Sequence, residues 1–121
     1  MSTYQFLNLD YLNMMADGDE DMKATMIEML VEEIPEEMEK MNQLYAAADW
    51  KELREVSHKM KSTLGFVGNE AMTKANSAIE DIAKFGGGDG VERLPELLAI
   101  LSDVYPKAVQ ELKTELAGLE V

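Results

Sequence analysis

The sequence predicts an all-α protein: an antiparallel four-helix bundle with a short additional N-terminal helix. Three observations predict it. Apolar residues recur at steps of three and four through four long stretches, which puts them on one face of a helix in each. Those stretches are separated by short connections marked by glycine, asparagine and aspartate, and no segment alternates apolar and polar residues as a half-buried strand would. At 121 residues, the chain is long enough for one real core and too short for two comfortable ones. Residues 1–121 therefore read as a single domain.

The elements follow in order. Asp10 is placed to cap a short helix through Met15, with Leu9, Leu12 and Met15 at helical spacing and Ala16-Asp17-Gly18 closing it. A long helix is expected from near Asp19 to about Ala48, because Asp19, Glu20 and Asp21 suit the positive end of its dipole. Its stripe is Met22, Met26, Met29, Leu30, Ile34, Met38, Met41, Leu44 and Tyr45. Pro35 lies inside it and removes one hydrogen bond, which predicts a kink or a break. Asp49 then caps a helix with Trp50, Leu53, Val56, Met60 and Leu64 on one face, ended by Gly68 and Asn69. The next runs from about Glu70 to Phe85 and buries Met72, Ala75, Ile79 and Ile82. The run Gly86 to Gly90 cannot continue a helix cheaply and reads as a flexible surface connection. A last helix is expected from about Val91 to Leu116, with Pro95 tolerated in its first turn and Pro106 bending it.

Composition narrows the function classes. Eleven Lys and Arg against 24 Asp and Glu give a net charge of -13, which repels nucleic acid and anionic membrane surfaces. There is no cysteine, so disulfide and thiolate chemistry are excluded, and a reducing compartment suits the chain. No apolar run approaches the roughly 20 residues that span a bilayer, and the first residues lack the pattern of a signal peptide. The expected location is the cytoplasm.

His58 is the single histidine, and no other side chain here has an unperturbed charge change near neutral pH. On a wheel at about 100° per residue, His58 lies roughly 150° from the apolar direction of its helix and so points away from the core. That weakens the reading of a core histidine and leaves two others: a solvated residue without a role, or an exposed reactive group. Lys51, Arg54, Lys61, Ser62 and Gly65 share its face. From Lys51 to Lys61, four basic residues (Lys51, Arg54, Lys59, Lys61) stand against Glu52 and Glu55, so the patch is locally basic and favours anions. Ser62 and Gly65 leave open space beside the ring.

An exposed histidine flanked by cations suits nucleophilic attack on a phosphoryl group. It does not suit zinc, which wants three or four N, S or O ligands from the protein, so no metal site is expected. Paired-carboxylate hydrolysis is set aside because the acidic residues fall on solvent faces, and a Ser/His/Asp triad has no strand-turn-helix elbow to support it. Gly86 to Gly90 lacks the Lys-Ser/Thr of a nucleotide-binding loop, so neither ATP binding nor hydrolysis is expected. Leu12, Met14 and Met15 on the first helix could offer an adaptable apolar docking surface near the histidine; the competing reading is that the methionines simply fill the core.

The segment His58-Lys59-Met60-Lys61-Ser62-Thr63-Leu64-Gly65-Phe66-Val67-Gly68 resembles the signature of histidine-containing phosphotransfer (HPt) domains, His-x-Leu-Lys-Gly-Ser-Ser/Ala-x-x-Leu-Gly. Leu9-Asp10, Pro35, Ala47 to Asp49 and Ile79-Glu80 extend the resemblance over nearly the whole chain. The departures are Ser62 for glycine, Met60 for leucine and Leu64 for a small residue. The resemblance implies a four-helix bundle whose His58 accepts and donates a phosphoryl group. It further implies that Lys61 stabilises the phosphorylated ring, that Ser62 and Thr63 let a partner dock, and that Glu80 hydrogen-bonds the other imidazole nitrogen.

On the same basis the chain is a free-standing phosphocarrier of a two-component phosphorelay. Its expected partners are receiver domains of response regulators and hybrid sensor kinases, with the required Mg²⁺ on the receiver and no cofactor of its own. A monomer is compatible with one exposed histidine face. The alternative is a non-phosphorylated helical adaptor that binds a signalling partner protein.

Overall fold

The computed structural model describes residues 4–86 and 88–119. The N-terminal start at residues 1–3 and Gly87 of the glycine run, both used in the sequence reading, lie outside the described residues. The described residues form helices α1 (Asp10–Ala16), α2 (Glu20–Ala46), α3 (Trp50–Val67), α4 (Glu70–Lys84) and α5 (Leu94–Leu119), with a 3-10 turn at Gly88–Arg93 and no strand.

Three helix starts follow directly from local chemistry. The first amides of a helix have no intrahelical acceptor, and a short side-chain oxygen can supply one. Asp19, Asp49 and Asn69 each do so, accepting from the N–H groups of Met22 (3.0 Å), Glu52 (3.2 Å) and Met72 (3.0 Å). Asp10 does not cap α1. It is the first helical residue, and Asn8 two positions earlier accepts its N–H at 3.0 Å.

The four long helices close a ring of neighbours, α2 against α3, α3 against α4, α4 against α5 and α5 against α2, while α1 packs on α2 and α3. Ile34, Met41, Leu53, Met60, Ile79 and Leu101 are among the side chains fully buried inside this ring. Burial of such apolar groups is the main drive for association of the helices.

Several expectations need correction. Helix α2 is not interrupted at Pro35: Ile34 and Met38 are buried on either side of it, and their packing holds the helix despite the missing N–H. Pro106 lies within α5, where the sequence places it. On α2, Met22 and Met29 are exposed, and the buried stripe runs instead through Ile27, which belongs with Leu30 and Ile34. Leu12 is fully buried and so cannot form a docking surface. Gly86 and Gly88 face open space as a surface connection would, but from Gly88 the chain forms a 3-10 turn in which Gly90 is so close to Ile82 that a Cβ would lie 2.7 Å from its Cγ1. Helix α5 therefore begins at Leu94 rather than Val91.

The segment before α1 is tied down by contacts distant in sequence. Glu111 on α5 accepts the N–H groups of Phe6 (2.8 Å) and Gln5 (3.1 Å), and the Asn8 N–H donates to the Val67 carbonyl (2.9 Å). Glu115 receives the Tyr4 hydroxyl at 2.7 Å and the Lys23 ammonium at 2.8 Å. Burial and the adjacent carboxylate push the Tyr4 pKa up to about 12, while hydrogen bonds from Lys23 and Tyr4 hold Glu115 below its usual range. Gly68 ends α3 in the left-handed region at φ 72°, where Asn8 approaches too closely for any side chain.

Candidate functional site

Helix α3 presents His58 outward because its apolar positions turn the other way, and the His58 side chain is 70% exposed. The ring is nevertheless anchored. Glu80 on α4 places Oε2 2.7 Å from His58 Nδ1, and its other oxygen, Oε1, lies 2.6 Å from Lys61 Nζ. One carboxylate thus bridges the imidazole and the ammonium across the α3–α4 seam.

The protonation pattern follows from that bridge. Glu80 is buried, which by itself would favour its neutral form, but the hydrogen bond from Lys61 outweighs burial and, with the one from His58, holds the carboxyl below its ordinary value of 4.5. An ionised carboxylate only accepts, so Nδ1 carries the ring proton and donates it to Glu80. In the neutral ring this tautomer leaves the lone pair on Nε2. It has no hydrogen-bond partner among the described residues. A neutral imidazole so oriented has the chemistry of a nucleophile.

Below the bridge lies a second pair, fully inside the seam. Ser57 Oγ donates toward the carbonyl (2.9 Å) and Oδ1 (2.8 Å) of Asn76, and Asn76 Nδ2 donates to the Ser57 carbonyl at 2.9 Å. Both residues are buried.

The other site residues are distributed as follows. Lys51, Arg54 and Ser62 are exposed on α3, and the two cations have no ion-pair partner among the described residues. Gly65 faces open space. With Tyr11, Lys61, Ser62 and Phe66 it lines an open groove of about 430 Å³, floored by Tyr11 stacked on Phe66 at 5.2 Å between centroids. Met14 and Met15 are exposed, but it is Tyr11 through which α1 reaches this groove. Thr63 is half-buried and does not line it. Lys59 turns to the opposite flank and pairs with Glu37 of α2 at 3.7 Å.

Sequence reasoning missed Glu37, Ser57, Asn76, Tyr11 and Phe66. A polar Ser57 and Asn76 at positions adjoining the apolar stripes of α3 and α4 was the available signal for the buried pair. Among the described residues, no three His, Asp or Glu side chains converge to hold a metal ion. No helix of the described residues is long and apolar enough to cross a membrane.

Among the described residues the site is thus one exposed histidine on an all-helical fold, oriented by a carboxylate from the neighbouring helix. The family model of the Hpt domain matches residues 25–120, and the chain belongs to that family. Searches of curated proteins and of solved structures return no match. Hpt domains serve histidine phosphotransfer in phosphorelays, interact with receiver domains, and are phosphocarriers rather than ATP-using enzymes. The match leaves α1 and the segment before it outside its bounds.

Proposed function

We propose that His58 accepts a phosphoryl group from the phosphoaspartate of one receiver domain and passes it to another. The observation that carries this is the Glu80 carboxylate shared between His58 Nδ1 and Lys61 Nζ, which leaves Nε2 free and outward. The Nε2 lone pair attacks phosphorus in line, and the bond from phosphorus to the aspartyl oxygen breaks, releasing a carboxylate. The Nδ1 proton stays in place, so the phosphorylated ring is cationic and Glu80 balances it. Lys61 offsets the charge of the phosphoryl oxygens. Return transfer runs the same steps backwards to the second receiver.

The receiver supplies the Mg²⁺, and this chain brings no cofactor. Residues 1–121 act as one domain, an antiparallel four-helix bundle working as a cytoplasmic monomer; the short connections between consecutive long helices support the antiparallel order. Lys51, Arg54, Ser62 and Gly65 form the approach surface for the receiver.

The test is to mix the protein with a phosphorylated receiver and Mg²⁺. Acid-labile, base-stable label is expected on the wild type and none on His58→Ala. Label persisting on His58→Ala, or an unlabelled wild type across a range of competent receivers, would overturn the proposal. The second result would favour an adaptor that binds partners through the Tyr11–Phe66 groove alone.

A further inference from the structure

We propose that the buried Ser57–Asn76 pair is a positioning device that sets the register of α4 against α3, and through it the placement of Glu80 on His58 and Lys61. The inference rests on the phosphotransfer reading only for its consequence in transfer; the geometric part stands apart from it.

Helical periodicity puts Ser57 and Lys61, four residues apart, on one face of α3, and Asn76 and Glu80, four apart, on one face of α4. Within a helix each carbonyl accepts the amide four residues on. The Ser57 carbonyl therefore holds the Lys61 N–H and also receives Asn76 Nδ2 at 2.9 Å. The Asn76 carbonyl holds the Glu80 N–H and also receives Ser57 Oγ at 2.9 Å. Each interhelical bond ends on the carbonyl that anchors a residue of the charged bridge. Neutral pair and charged bridge are consecutive turns of the same seam.

Chemistry explains why the lower pair is polar. The surrounding side chains Leu53, Met60, Ala75 and Ile79 are buried and apolar, and apolar residues would fill the seam without any desolvation cost. Apolar packing is non-directional and tolerates sliding, whereas reciprocal hydrogen bonds accept one register. A slip of one helical turn is about 5.4 Å, far more than the contacts of Glu80 at 2.6 and 2.7 Å allow. The upper bridge cannot set its own register as firmly, because His58 and Lys61 are largely exposed and water competes for them.

The experiment compares wild type, Ser57→Ala, and Ser57→Ala combined with Asn76→Leu, each with ¹⁵N-labelled histidine. The double variant removes both polar partners together, so it strands no buried donor or acceptor, and its Tm is expected close to that of the wild type. Ring ¹⁵N shifts followed against pH should then show the Nδ1–H tautomer losing its dominance, and transfer from a phosphorylated receiver should slow at least about tenfold. A purely structural role would lower Tm in the single variant and leave ring tautomer and transfer unchanged in the stable double variant. Wild-type tautomer ratios in the folded double variant would overturn the proposal. If the double variant does not fold, Ser57→Ala combined with Asn76→Ala, which also removes all three bonds of the pair, decides by the same ring measurement. A shifted tautomer with wild-type transfer would overturn the link to the chemistry. Because the ring shifts need no phosphoryl donor, a wild type that never takes up phosphate would sink the proposed function while leaving the register test readable.

Discussion

Two lysines flank Met60 on α3, and their carboxylate partners could hardly be treated more differently. Lys61 meets Glu80 of α4 at 2.6 Å, and the second oxygen of Glu80 is taken by His58. Lys59 reaches Glu37 of α2 only at 3.7 Å, with Lys40 at 3.8 Å on the same oxygen. The other oxygen of Glu37 is buried without a hydrogen-bond partner. Both glutamates are buried to a similar degree. The difference teaches that burial alone does not make a carboxylate useful. Glu80 has a partner on each oxygen, and these bonds favour its anionic form, which can fix a tautomer. Glu37 carries a desolvation cost that its pairs only partly offset.

Substitutions on the two flanks should therefore diverge. The largest effect is expected at Glu80→Leu, which removes the charge-assisted bond orienting the ring. Phosphoryl transfer to His58 should fall roughly tenfold to a hundredfold, as loss of one such bond implies, while circular dichroism still reports a helical protein. Transfer at the wild-type rate would erase the distinction drawn here. Lys61→Ala should keep the fold and slow transfer or shorten the phosphohistidine lifetime by a smaller factor, since half of the side chain is already exposed to water. Unchanged values for both would mean that Lys61 takes no part.

Acid should also separate the flanks. The folded-state carboxyl of Glu80 titrates below its ordinary value, so it adds stability above that value, which is lost as pH falls through the lower, folded one. Denaturant unfolding between about pH 7 and about pH 3 should show this loss in the wild type and less of it in Glu80→Gln. An identical acid limb in the two proteins would contradict the assignment. Glu115, also held low by Lys23 and Tyr4, contributes in the same direction in both.

On the other flank, Glu37→Met should raise stability by about 1 kcal/mol, because an apolar side chain of similar size removes the stranded oxygen. A fall in Tm would show that the Lys40 and Lys59 pairs matter more than their lengths suggest. Lys59→Ala should do least. Its ammonium is largely exposed, so stability should change by no more than about 0.5 kcal/mol, and transfer should stay near the wild-type rate.

Much of the scaffold was legible in the residues themselves. Asp49 announces a helix start because a cap acts over three residues, whereas Asp19 reads only as a charge on the helix dipole and Asn69 only as the end of α3, and both prove to be caps. The outward position of His58 follows from a wheel, since it depends on one helix and its apolar face. Glu80 was reached through family resemblance, not from spacing, and its acidic character alone read as solvation. Methionine at helical spacing resembles core, which puts Met22 and Met29 in the expected stripe of α2, whereas in the folded protein Ile27 is covered instead. Pro35 marks a lost hydrogen bond that could break α2, yet buried packing on both sides keeps that helix continuous.

By itself, the sequence determined the helices, the Asp49 cap, the acidic surface and the exposed basic face around His58, because each depends on forces acting within a few residues. Only the tertiary structure decided that one carboxylate bridges the imidazole and Lys61, that Lys59 and Lys61 part to opposite flanks, and that Ser57 finds Asn76 in the buried seam between α3 and α4. Those pairings depend on how α2, α3 and α4 are rotated and shifted against one another. That is set by the shape of the whole core, and no single helix carries it.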